Sequence, residues 1–251
     1  MKKLVLKIGT STLTAGSDRV SYGKIEDVAR QIVRLRQEYE IILVSSGAIA
    51  AARQFVDING HIKDVDSRQA MSAIGQPKLM NIYDEVFESF GLKVAQCLMT
   101  YRDFEDETAK VNTRNTIHKL LEHDYIPIVN ENDTVATEEI ILGDNDKLSA
   151  LVAVITDADL LVNASDVDGL YDQNPTKDGA KLIEDVVDLA EVERFVDERE
   201  NGLGTGGMTS KIQAAKICKE KGIEVWLVNG GKENFLTDAL EGKVRFTKFK
   251  V

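Results

Sequence analysis

A lysine stands beside a glycine-bearing turn near both ends of this chain. Lys7-Ile8-Gly9-Thr10-Ser11 opens it, and Gly204-Thr205-Gly206-Gly207-Met208-Thr209-Ser210-Lys211 lies toward its far end. Between them, Gly143-Asp144-Asn145-Asp146-Lys147 sets two carboxylates beside another flexible segment. Lysines, backbone N–H groups and a carboxylate are what a phosphoryl group needs as it moves between two anions. Positioning and charge stabilisation carry most of such a transfer. None of the three segments is a standard nucleotide motif. No G-x-x-x-x-G-K-[ST] run exists in the chain, and the protein-kinase signature set is missing. Gly202 to Gly207 literally matches G-x-G-x-x-G, but the charged stretch Glu193–Asn201 before it is not a buried strand. The match therefore reads as a flexible anion loop, followed by a helix that carries Lys211.

Other polar segments join these. Ser46-Gly47-Ala48 opens a helix directly after a strand, where N–H groups and the helix dipole favour a carboxylate or phosphate. Asn130-Glu131-Asn132-Asp133 follows a buried strand and could hold an ammonium or amide group. In Gly143–Asp146, one aspartate could simply cap the next helix, or the pair could position a lysine, a magnesium-bound phosphate or a substrate amine. Neither this segment nor Ser165-Asp166-Val167-Asp168-Gly169 is an EF-hand loop.

The elements that must position these residues alternate. Leu4–Ile8, Ile41–Val44, Val94–Leu98, Ile126–Val129, Leu160–Val162 and Glu224–Val228 read as strands. Ile25, Val28, Ile32 and Leu35 recur at helical spacing, giving an amphipathic helix over Tyr22–Gln37. Leu148–Ile155 and Ile212–Lys221 read as helices, and Asp57–Asp66 as a mobile loop before a helix near Ser67. The tail Lys243–Val251 alternates basic and apolar residues, as an edge strand does. This rhythm predicts an α/β fold, a three-layer α/β/α sandwich with a mostly parallel central sheet, formed by one domain over 1–251. Ligands of such sheets bind at the carboxyl ends of strands. The polar segments after Ile8, Val44, Val129 and Val162 all fall there. A tight turn with a helix cap explains any one of them; four in register with strand ends are harder to reduce to turns.

Composition narrows the classes. The 251 residues carry a net charge of −11, which argues against a nucleic-acid binder but not against anionic substrates drawn to local lysines. Cys97 and Cys218 read as core thiols, and His61, His118 and His123 show no metal-ligand spacing. No signal peptide and no membrane-length apolar run is present, so a soluble, cytoplasmic protein is expected.

Taken in order, these segments resemble the amino acid kinase family, and within it the branch that phosphorylates glutamate. The matching runs are Lys-Ile-Gly-Thr-Ser at 7–11, Ser-Ser-Gly-Ala-Ile-Ala-Ala at 45–51, Asn-Glu-Asn-Asp at 130–133, Gly-Asp-Asn-Asp-Lys-Leu-Ser-Ala at 143–150 and Gly-Leu-Gly-Thr-Gly-Gly-Met at 202–208 with Lys211. Relatives acting on aspartate or acetylglutamate usually show a second glycine where this chain has Thr10, and relatives often have threonine in place of Ser165.

The resemblance implies transfer of the γ-phosphoryl group of ATP to the side-chain carboxylate of L-glutamate, with magnesium, as the first step of proline synthesis. By it, Lys7 and Lys211 neutralise the moving phosphoryl group and Asp146 orients them. Ser46, Asp133 and Asn145 bind glutamate. Lys7, Ser165, Asp166 and the segment Thr205, Gly206, Gly207, Met208, Thr209, Ser210 and Lys211 hold ATP; no residue is assigned to the metal. It further implies a homodimer or tetramer and feedback by proline through the Asp57–Asp66 region and the glutamate site; the acyl-phosphate product would be labile, which makes hand-over to a glutamyl-phosphate reductase chemically sensible. Many relatives carry a further C-terminal domain, and this sequence stops at Val251. Competing readings are a relative acting on N-acetylglutamate, aspartate or carbamate, a non-catalytic sensor on the same fold, and a dinucleotide-dependent oxidoreductase.

Overall fold

The computed structural model describes residues 1–56, 64–136, 145–173, 179–190, 192–193 and 206–250. Short apolar runs stack as strands around β1 (Lys2–Ile8). β2 (Tyr39–Ser45) and β5 (Leu160–Ser165) flank β1, both parallel to it, with Leu4 opposite Ile41 on one side and Leu160 on the other. β4 (Tyr125–Glu131) and β3 (Lys93–Met99) extend the sheet beyond β2, and β9 (Glu224–Asn229), β10 (Thr247–Phe249) and β8 (Asp185–Val186) extend it beyond β5. Among the described residues only the β9–β10 pairing in this sheet is antiparallel. A separate two-stranded hairpin joins β6 (Leu170–Tyr171) to β7 (Leu182–Ile183).

Helices cover both faces. α2 (Tyr22–Leu35), α3 (Ala48–Ala52), α4 (Val65–Ser89) and α8 (Phe235–Leu240) pack Ile25, Ile32, Ala51, Leu79, Tyr83 and Phe235 against Leu4, Leu6 and Leu43. On the opposite face α5 (Glu107–Glu122), α6 (Asp146–Ile155) and α7 (Gly206–Lys219) bring Ile117, Leu148, Val152, Ile212 and Ala215 onto Val5, Ile42 and Leu161. This is the three-layer sandwich on a mostly parallel sheet expected from the sequence.

The loop after each inner strand delivers the site. Strand order runs outward from β1 in both directions, so the loops that follow β1 and its neighbours separate and leave a crevice at the carboxyl edge. After β1 the chain turns at once into the single-turn helix α1 (Thr10–Leu13). After β2, Gly47 adopts φ 104°, a left-handed conformation that glycine tolerates best, and launches α3. α4 braces α3 at a very close approach. A Cβ on Gly75 of α4 would lie 1.8 Å from the Ala48 carbonyl oxygen. Gly75→Ala is therefore expected to cost about 1–3 kcal/mol or more, because backbone rather than a flexible side chain must yield. Urea unfolding checks this, and displacement of α3 should also weaken ligand binding beside Ser46.

Two expectations change. β10 is not an edge strand: β8 pairs outside it, and a two-residue strand leaves no periodicity to read. The helix near Ser67 runs the 25 residues Val65–Ser89, capped by the Asp64 carboxylate, which accepts from Ser67 N–H at 2.8 Å. Most of the proposed Asp57–Asp66 loop lies outside the described residues, as does His61. Cys218 is buried, which pushes its thiol up to about 12, whereas Cys97 on the outermost strand β3 is only half-buried. His118 lies within α5 and His123 caps its C-terminus. Among the described residues no helix is long and apolar enough to cross a membrane.

Candidate active site

Lys7 is the penultimate residue of β1, and its side chain turns to the face that carries α6. It is 3% exposed, an unusual burial for a lysine, and Asp146 explains it. Asp146 opens α6, whose N-terminal end favours negative charge, and it is fully buried. Its Oδ1 meets Lys7 Nζ at 2.6 Å and accepts from Asn163 Nδ2 at 2.6 Å. Its Oδ2 accepts from Lys211 Nζ at 3.1 Å and from Ser210 Oγ at 2.7 Å. One carboxylate thus joins β1, β5, α6 and α7. The carboxylate holds two ammonium groups in place, and in a site shielded from water a fixed ammonium acts strongly on an incoming anion.

The residue before Asp146 builds the other half of the site. Asn145 is 2% exposed and donates from Nδ2 to Ser46 Oγ at 3.0 Å and to Asn130 Oδ1 at 2.8 Å. Asn130 in turn donates to Gln76 Oε1 of α4 at 2.9 Å. Asp133 accepts from Ser72 Oγ of α4 at 2.5 Å. Burial pushes the Asp133 carboxyl up, opposed by the Ser72 hydrogen bond and by the nearby Arg68.

Two cavities meet over this network. One, of about 270 Å³, is lined by Thr10, Ser46, Arg53, Arg68, Asn130, Asp133 and Asn145 among others. The second, of about 170 Å³, is lined by Lys7, Gly9, Thr10, Ser11, Ser165, Asp166 and Lys211 among others. Thr10 and Ser46 line both, so the cavities form one cleft. The first offers cations and carboxylates together, as a zwitterion requires; the second offers two lysines and small polar residues beside the carboxylate of Asp166, a lining that suits phosphates. Among the described residues none that lines either cavity is histidine.

Lys7, Lys211, Ser46, Asp133, Asn145, Ser165 and Asp166 therefore line one cleft, with Asp146 buried beneath the two lysines, as expected from residues at strand ends. Ser165 closes β5 and donates to Asp166 Oδ1 at 3.2 Å. Asp144 and Thr205 lie outside the described residues. The segment from Gly206 to Ser210 is a correction: it is the first part of α7 rather than loop, and Lys211 lies on that helix as expected. Met208 there packs against the apolar cluster beneath the helix. Gly207 stays near the site, its carbonyl accepting from Lys211 Nζ at 2.8 Å. Sequence reasoning did not single out Asn163, Gln76, Ser72, Arg53 or Arg68. Gln76 and Ser72 reach the site from 54 and 61 residues away in the chain, distances that no local spacing encodes.

The arrangement defines an α/β protein with a two-part polar cleft at the carboxyl edge of a parallel sheet. The profile of the amino acid kinase family matches residues 2–229, and the chain belongs to this family. A glutamate 5-kinase of Photorhabdus laumondii subsp. laumondii is 41% identical over 249 residues, covering 98% of this chain and 68% of that protein. Glutamate 5-kinases of Dictyoglomus turgidum, 46% identical over 94% of this chain and 63% of the relative, and of Alkaliphilus metalliredigens, 41% identical over 99% and 96%, match as well. The chain thus spans about two thirds of some relatives and nearly all of others. The crystal structure of a UMP kinase from Ureaplasma parvum superposes with a TM-score of 0.65 at 19% identity, over 100% of this chain and 99% of that one, and speaks for the fold alone.

Proposed function

We propose that this chain is a glutamate 5-kinase, which transfers the γ-phosphoryl group of ATP to the side-chain carboxylate of L-glutamate. The observation that carries the reading is Asp146 holding Lys7 and Lys211 together where the two cavities join. Glutamate lies in the larger cavity. Asp133 meets its ammonium, and Ser46 and Asn145 hold the carboxylate that reacts. ATP occupies the smaller cavity, its phosphates along Ser165, Asp166 and the start of α7. The amino acid chemistry fits independently. A glutamate side chain titrates near pH ~4.3, so it is already an anion at neutral pH and needs no general base. What remains is repulsion between anions and their alignment, which the lysines address.

Among the described residues no group of three or more His, Cys, Asp or Glu side chains is arranged to hold a metal ion. Both oxygens of Asp146 already accept from donors among the described residues, Asn163 and Lys7 on one and Ser210 and Lys211 on the other. Magnesium bound to nucleotide phosphates needs only one or two protein carboxylates, and Asp166 in the smaller cavity would serve; the ion would neutralise phosphate charge there.

Ser46→Ala is expected to raise the apparent KM for glutamate about fivefold, the scale of one hydrogen bond, with the KM for ATP unchanged. Steady-state kinetics with each substrate varied checks this, and a change confined to ATP would remove Ser46 from the glutamate site.

As parts of the same reading, residues 1–251 form one kinase domain that works as a homo-oligomer in the cytoplasm. Proline, which carries the same ammonium–carboxylate pair as glutamate, competes for the larger cavity. The acyl phosphate is labile and passes to a glutamyl-phosphate reductase. The test is ADP release with Mg-ATP and a panel of glutamate, aspartate, N-acetylglutamate and carbamate, with hydroxylamine present to trap an acyl phosphate. Hydroxamate from glutamate alone supports the reading. Hydroxamate from another acid reassigns the substrate, and ATP binding without turnover of any acid moves the chain to a sensor.

A further inference from the structure

Asn163 is an anomaly in its strand. Every residue of β5 is buried, and Asn163 is 2% exposed between Lys7 on β1 and Leu227 on β9. A buried amide is costly unless its hydrogen bonds are made. Here only half of it is satisfied: Nδ2 donates to Asp146, while Oδ1 has no hydrogen-bond partner. A leucine, as at the neighbouring Leu161, would leave no such orphan. The amide is explained by what its one bond does.

We propose that Asn163 is a positioning residue that sets the rotation of the Asp146 carboxylate and, through it, the place of Lys7. Oδ1 receives one neutral donor, Asn163, and one cation, Lys7; Oδ2 receives one neutral donor, Ser210, and one cation, Lys211. The two neutral donors fix the carboxylate plane, so that each lysine has its own oxygen. Neutrality matters as well as geometry. An amide beside Lys7 adds no charge of its own, whereas an ionised carboxylate there adds a negative charge where the moving phosphoryl group is itself an anion.

The proposal rests on the kinase reading only for its activity readout, and a second readout is independent of turnover. The full chain is compared with Asn163→Leu and Asn163→Asp. Lysine acylation by a succinimidyl ester, read by mass spectrometry, reports how firmly Lys7 is held. In Asn163→Leu, Lys7 is expected to label several-fold faster than in the parent, with the surface residue Lys93 unchanged. Hydroxamate formation from glutamate is expected to fall about 10- to 100-fold in kcat with both KM values within about threefold, the pattern of a contact made in the transition state. In Asn163→Asp the introduced carboxyl can donate to Asp146 when protonated and repels it when ionised. Its kcat relative to the parent therefore climbs as pH is lowered. Unchanged Lys7 labelling in Asn163→Leu overturns the proposal whether or not the chain turns over glutamate. If that variant does not fold, a ratio flat with pH in Asn163→Asp overturns it. A parent that forms no hydroxamate with any acid sinks the kinase reading instead, and the labelling still decides for Asn163.

Discussion

Replacing Lys7 by alanine is expected to lower kcat for glutamyl hydroxamate formation by about 10²-fold or more, the scale of losing one preorganised charge in a transition state. The KM for glutamate should move far less. Lys7 lines the smaller cavity and not the larger, so it faces the transferred group rather than the amino acid. Its ammonium is fixed at 2.6 Å from Asp146, and the protein therefore reorganises little when charge develops. Lys211→Ala should have a loss of similar scale. The double variant should lose less than the product of the two, because both lysines act on one group through one carboxylate. Turnover unchanged in Lys7→Ala would take that lysine out of the mechanism.

Asp146→Asn should be damaging in two ways at once. The substitution keeps the shape but removes the anion that Lys7 and Lys211 share, and it turns one acceptor into a donor pointing at a donor. Breaking a buried ion pair from one side costs about 3–5 kcal/mol, because the partner charge stays buried and uncompensated. Urea unfolding measures that loss. Turnover should fall by about 10²-fold or more as both lysines lose their anchor. A variant that keeps parental stability and turnover would show that the carboxylate is not what holds the lysines.

The sequence read most clearly where burial is simple. β1, β2 and β9 are apolar runs that match their strands to within two residues at either end, and α2 shows its helical spacing directly. The site lies where that signal ends. Strand β5 continues past Val162 to Ser165, but Asn163 breaks the apolar run, because its environment is Asp146 rather than hydrocarbon. Helices α6 and α7 begin at Asp146 and Gly206, before the apolar residues that announce them, so Asp146, Ser210 and Lys211 sit in helix beginnings that periodicity misses. α5 buries only Ile117 and so gives almost no pattern. The candidate lysines and carboxylates were legible from residue type and from their place at strand ends. Their supports, Asn163, Gln76 and Ser72, were not, because each contact closes a long loop of chain.

The central claim is that the carboxylate oxygen of glutamate attacks phosphorus, and isotope transfer tests it most directly. Glutamate labelled with oxygen-18 in its side-chain carboxylate is turned over with Mg-ATP and hydroxylamine, and the released phosphate is analysed by mass. Attack by the carboxylate makes an acyl phosphate whose bridging oxygen came from glutamate. Hydroxylamine then takes the acyl carbon, so the phosphate departs with one oxygen-18. Phosphate carrying one label per turnover is the predicted result. Unlabelled phosphate would mean that water, not glutamate, receives the phosphoryl group, and would contradict the account.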